Sequence, residues 1–313
     1  MFKKIVFYCD EAGAKAFADQ DEAYAGEVGV FAGILVPEEE LAAASARFDA
    51  VAARYRPTTG KLHIADLPNL QKEALRSDVY REILQSQLPC FWYAIHSAGL
   101  HADYRRVREL MKDSDEAFKA ARRGTPARVK MGSPRDKPAS MHVELFSGLY
   151  SHVVAFLMER GVKEAEIEVR TDRIDSPIVK EFEEVAHMLM SDAVDESLAK
   201  GFDTFEKKVV ARKISICVRY SADAPTLPIV RQLSIDPVLA EDGLVLAADV
   251  LANSLNYHFK SRPAAERYMP LNRPEAVATH PLATHLDAFL NWGTGDLLGD
   301  GLYRHPSAPN VTP

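Results

Sequence analysis

Cysteine is scarce in this chain. The three cysteines in 313 residues (Cys9, Cys90 and Cys217) are too few and too far apart for a disulfide framework or a zinc site. Each sits among apolar residues, which fits buried thiols of a cytoplasmic protein and raises rather than lowers the pKa of Cys9. Long hydrophobic runs are missing as well: no stretch approaches the roughly 18–20 continuous apolar residues of a membrane span. The N-terminus, MFKKIVFYCDEAG, is basic and then apolar, but its run is short and ends in acids instead of a small-residue cleavage site. It reads as a strand, not a signal peptide. Basic charge is in deficit, with 38 Lys and Arg against 45 Asp and Glu and a net charge of −7. The surface as a whole therefore does not attract nucleic acid. No internal repeat, low-complexity tract or linker demands a second domain.

What is present is an alternation of strand and helix signals. KKIVFYCD and VGVFAGILV (28–36) are apolar, β-branched runs, followed by a helical EEELAAASARFDAVAARY with acids in its first turn, where the helix dipole favours them. A second helical stretch, KEALRSDVYREILQSQ, precedes the strand CFWYAIHSA (90–98) and a short helix, DYRRVRELMK. SMHVELFSGLYSHVVAFLMERG (140–161) is a long apolar helix, EAEIEVRTD (164–172) a strand, and SPIVKEFEEVAHMLMSD a helix with Pro177 at its first position. KISICVRYSA (213–222) and PIVRQLSID (228–236) read as further strands, and GLVLAADVLANSLNYHF (243–259) as the last strong helix. Early strands follow one another and later ones alternate with helices. That order predicts an α/β fold, a mixed sheet flanked by helices, in one domain over 1–313. An insertion at about 113–138 and an irregular C-terminal extension at about 260–313 interrupt it.

The insertion is where the positive charge gathers. From Glu116 to Lys137 it carries seven cations, Arg122, Arg123, Arg128 and Lys130 among them, against two acids, interleaved with Gly and Pro. It reads as a surface loop: either a solvated insertion or an arm that tracks phosphates.

Three acids stand out by their settings. KKIVFYCD ends at Asp10 and EIEVRTD ends at Asp172. If those strands lie side by side and parallel, both carboxylates emerge at one sheet edge, where open α/β sheets place their sites. Asp249 sits inside GLVLAADVLAN, a helix so apolar that a lone acid in it is costly unless paired or bound to a cation. Three convergent carboxylates suit Mg²⁺ or Mn²⁺, hard cations that take oxygen ligands and meet substrate phosphates. Two such ions activate a water and stabilise the leaving oxygen in phosphodiester cleavage. Glu11 points to the opposite face from Asp10 if the strand geometry persists. His63 in LHIAD positions a water, relays a proton, binds a phosphate oxygen or is structural; it shares a face with Asp66 if that segment is helical. No serine or cysteine has the setting of a nucleophile.

FYCDEAG, VGVFAGILV, LHIAD, EIEVRTD and LSID…GLVLAADVLAN together resemble the domain-of-unknown-function 3800 family, over about residues 3–258. That family opens with a strand running into Asp-Glu-Ser-Gly, has a Leu-His segment after the first helix, and closes on a helix reading Leu-Gln-x-Ala-Asp. Here Ala12 replaces the serine. The resemblance implies a ribonuclease H-like fold and a metal-dependent nuclease of mobile-element or phage-defence settings. On that topology Asp10 bridges two metals, Asp172 and Asp249 each complete one, and Glu144 in SMHVELFSG is the candidate fourth ligand. Glu11 and His63 support the chemistry, and Arg122, Arg123, Arg128 and Lys130 would contact DNA or RNA. Two other readings stand beside it: a catalytically silent module of the same fold that binds a partner, and a metal-dependent hydrolase of a small phosphorylated substrate.

Overall fold

The computed structural model describes residues 2–121, 129–131, 138–172, 176–190, 195–216, 229–238, 242–286 and 303–309. The chain begins with an antiparallel hairpin, β1 (Phe2–Gly13) and β2 (Val28–Pro37), and the helix α1 (Glu38–Tyr55) follows directly. A single 3₁₀ turn at Ile64–Asp66 leads into α2 (Asn69–Ser86), then β3 (Cys90–His96) and α3 (Ser97–Ala121). After β4 (Val129–Met131) come α4 (Met141–Glu159), β5 (Glu164–Thr171) and α5 (Ser176–Met190). The strands β6 (Asp195–Asp203), β7 (Lys208–Ile216) and β8 (Ile229–Pro237) precede α6 (Gly243–Lys260) and the short α7 (Ala283–Leu286).

The main sheet has five strands in the order β3-β2-β1-β5-β8. β1, β2 and β3 are antiparallel neighbours, whereas β5 runs parallel to β1 and β8 parallel to β5. The expected mixed sheet flanked by helices is thus observed. Side-chain alternation divides its faces. Val6 and Tyr8 of β1 pack with α1, α2 and α6, while Ile5, Phe7 and Cys9 pack with α4 and α5. On the second face Phe146 and Phe182 stack at 4.1 Å between ring centroids, and burying each such side chain is worth about 1.5–3 kcal/mol. Cys9 and Cys90 are buried free thiols whose pKa values burial pushes up; Cys217 lies outside the described residues. Among the described residues α4 alone has the length and apolarity of a membrane span, and 61% of that window is buried within the protein.

Two glycines set how closely the elements approach. Gly13 ends β1 at φ +89°, and a Cβ there would meet the Val28 carbonyl at 2.3 Å and Asn256 Oδ1 at 2.7 Å. Gly243 opens α6 against α1, where a Cβ would lie 2.3 Å from the Phe48 backbone. Asp242 caps α6 by accepting from the backbone N–H groups of Leu244 (2.8 Å) and Val245 (3.3 Å).

Three expectations need correction. The stretch 113–138 is not simply a loop: Asp113–Ala121 prolong α3, and Val129–Met131 form β4 in a second, three-stranded sheet ordered β4-β6-β7. Glu, Lys and Ala are good helix formers, and they carry α3 onward without an apolar stripe to announce it. β6 itself was not expected; it pairs with β7 across a turn in which Asp203 Oδ1 accepts from the N–H groups of Phe205 and Glu206. The C-terminal extension, finally, is irregular as expected, but its described part is packed into the protein and not merely appended to it. Leu271, Val277, Leu282 and Leu286 join the core, and the Asn272 amide exchanges two 2.8 Å hydrogen bonds with the Ala94 backbone on the free edge of β3.

Candidate active site at the carboxyl end of the sheet

The parallel register pairs Cys9 with Thr171, so the next residues, Asp10 and Asp172, stand side by side; β5 ends before Asp172, whereas β1 runs past the expected end at Asp10 to Gly13 and keeps Asp10 paired with Ala32 of β2. Asp10 keeps the parity of Val6 and Tyr8 and faces α6, where Asp249 stands. The two strand ends and the buried helix thereby bring Asp10, Asp172 and Asp249 together, although 239 positions separate the first from the last.

Their electrostatics are unbalanced. Asp10 is only 8% exposed and accepts a hydrogen bond from the N–H of Glu11 at 2.9 Å. Burial, together with the charges of Glu11, Asp249 and Asp172, holds its carboxyl well above the usual aspartate range. Asp249 is raised too, chiefly by burial and further by Asp172. The Ile64 N–H, donating to Asp249 Oδ2 at 3.1 Å, and the nearby His63 offset part of this. Asp172 has the strongest partner, an ion pair with Lys61. His63 turns its Nδ1 to 3.7 Å from Asp172 and 3.9 Å from Asp249, and so joins both acids; Asp66 is exposed and stands apart. A cleft beside the acids is lined by Arg56, Lys61, His63 and Asp242 as well as Asp172 and Asp249.

Glu11 occupies the other face. His142 Nε2 lies 3.0 Å from its carboxylate and Lys15 Nζ donates to it at 2.8 Å. Burial alone would raise Glu11, but His142 and Lys15 outweigh burial and hold it down at about 2. The predicted separation of the two neighbouring acids is what the geometry has. Glu144 is engaged elsewhere: it lies on α4, accepts a hydrogen bond from the Tyr303 hydroxyl, and feels the charge of Asp103. It is not among the groups that perturb Asp10 or Asp249. Arg122, Arg123 and Arg128 lie outside the described residues, and Lys130 is the central residue of β4, paired with Phe202.

As a metal site the donors fit in kind: carboxylate oxygens on rigid elements, carrying surplus negative charge, are what a hard divalent cation takes. Among the described residues no three acid, histidine or cysteine side chains already stand at ligating positions. Lys61 meets Asp172 instead. Lys61 is the residue that reading the sequence overlooked. Its signal was its place two residues before His63, in a segment anchored to the acids by the Ile64 N–H.

No family model matches the chain, and no curated protein matches it either.

Proposed function

We propose that this protein is a divalent-metal-dependent phosphodiesterase acting on DNA or RNA, with a ribonuclease H-like fold. The observation that carries the reading is the meeting of Asp10, Asp172 and Asp249 at one sheet end, two of them with carboxyls raised by burial and mutual repulsion. Carboxyls raised in this way are kept together at a cost in stability, and a bound cation relieves that cost. The strand order β3-β2-β1-β5-β8, with three antiparallel strands followed by two parallel ones, supports the ribonuclease H-like assignment. So does the resemblance of the motifs to the domain-of-unknown-function 3800 family.

Asp10, Asp172 and Asp249 would hold Mg²⁺ or Mn²⁺, and a cation bound there supplies Lewis acidity and a water of lowered pKa. Lys61 and His63 line the same cleft with donors suited to phosphate oxygens, and they keep Asp172 and Asp249 oriented. Glu11, fixed by His142 and Lys15, anchors the end of β1 and donates its N–H to Asp10. Glu144 has no part in this set.

The test is cleavage of labelled single- and double-stranded DNA and RNA in Mg²⁺, Mn²⁺ and EDTA. Cleavage should be lost in EDTA and fall by on the order of 10²-fold or more with Asp10→Asn, the usual scale for removing one electrostatic catalytic group. Cleavage that survives both changes would sink the proposal. Absence of cleavage with binding retained would support the silent binding module instead.

A further inference from the structure

We infer that the groove between α2 and α6 is the path along which a single-stranded nucleic acid reaches the carboxylates. This rests on the nuclease reading for the chemistry, but the groove itself stands on separate observations. Asn253, Asn256, Tyr257 and Lys260 line it from α6, and Lys72 and Arg76 line it from α2. On α6 these positions follow Asp249 by 4, 7, 8 and 11 residues, so they continue the same helical stripe away from the acid. At about 1.5 Å per residue the stripe starts about 6 Å from Asp249 and ends about 16 Å away. A ligand lying along it would run directly to the candidate metal site.

The charge of the groove is opposite in sign to the net charge of the chain. The chain carries a net charge of −7, yet the groove has three cations against one acid, Glu73, which is 70% exposed on the rim and pairs with Arg76. Arg76 is held in place: it donates to Asn253 Oδ1 at 2.9 Å, its guanidinium lies 5.3 Å from the Tyr257 ring centre, and its buried Nε has no hydrogen-bond partner. Lys260 stands 5.2 Å from the ring centre of Tyr24. Tyr257 is 61% exposed and Tyr24 44%, so the cationic groove is flanked by two open aromatic side chains. Cations tracking a backbone beside open aromatic rings are what unpaired bases require, since stacking is indifferent to sequence but needs a free base face. A duplex buries its base faces and would leave both tyrosines unused. The expected basic arm at 122–130 is then not needed to explain binding.

The test is fluorescence anisotropy with labelled oligothymidylate, oligouridylate and a duplex of equal length, in EDTA so that nothing is cleaved, across a salt series. Tyr257→Ala should weaken single-strand binding about tenfold, within the range typical of one lost base stack. Lys72→Ala and Lys260→Ala should each lower the salt slope by about 0.7, the value for one phosphate contact on a single strand. Tyr257 and Lys260 are exposed and Lys72 is half-buried, so the variants should fold, and circular dichroism verifies that. Single-strand affinity unchanged in the variants, or a duplex bound as tightly as a single strand, would overturn the groove even if Asp10→Asn abolishes cleavage. Conversely, loss of binding in the variants without any metal-dependent cleavage by the parent would leave the groove standing and remove the nuclease reading. Comparing the thymidylate and uridylate arms distinguishes DNA from RNA.

Discussion

Asp10 and Glu11 are neighbours in sequence and opposites in environment. On the α6 face three aspartates meet, with Lys61 paired to Asp172, and two of them are pushed up in pKa. On the α4 face a single glutamate is gripped by His142 and Lys15 and driven down to about 2. One face spends stability on holding charge ready for a cation, and the other gains stability from a charge already matched. The last residues of β1 thus include one acid for binding and one for anchoring, adjacent within the paired strand.

The difference can be broken in three ways, starting with the largest effect. Saturating Mn²⁺ should raise the unfolding temperature of the parent protein. A ligand at a hundred times its dissociation constant contributes about 2.7 kcal/mol, several degrees for a chain of this size. Asp249→Asn should abolish that rise and Glu11→Gln should keep it; differential scanning fluorimetry with and without the ion decides. Next, Glu11→Gln should destabilise the protein by about 1–3 kcal/mol in urea unfolding, because His142 and Lys15 lose the charge they were arranged around. An unchanged midpoint would show that the α4-face cluster does not anchor β1.

The smallest effect is one of sign. Asp10 and Asp249 bind protons more tightly folded than unfolded, so as pH rises above the ordinary aspartate value of 3.8 they lower stability. Glu11 does the reverse: its contribution is complete above 4.5 and is lost as pH falls toward about 2. In EDTA near neutral pH, Asp10→Asn should therefore be as stable as the parent or more so by about 1 kcal/mol, since each tenfold change in proton affinity corresponds to about 1.4 kcal/mol. A marked loss of stability would mean that Asp10 is compensated after all.

Much of the sheet was legible in the sequence because its strands are apolar runs, some of which carry an acid near their carboxyl end, and alternation alone separated Asp10 from Glu11. Asp172 and Asp249 could be named for the same reason: an acid closing a strand and an acid inside an apolar helix each break a local pattern. The illegible parts lack a pattern to break. The second half of α3 leaves Leu110 and Met111 exposed, so burial at those positions does not mark its length. β6 is rich in charged and small residues and is specified by its partner β7, not by alternation. Lys61 follows a glycine turn and acquires meaning only when the chain folds it against Asp172, 111 positions away. Glu144 looked like a ligand by its place in the chain, yet Tyr303 claims it across 159 positions.

The grip of Asn272 on Ala94 has a consequence for how copies of this molecule meet. A free strand edge invites a second chain to add to the sheet. By answering the N–H and C=O of Ala94 with one side-chain amide, the tail occupies the β3 margin in the way a sixth strand would begin to. The other margin of the five-stranded sheet is β8. The last stretch of chain therefore acts as a guard against sideways growth of the sheet on the side of β3.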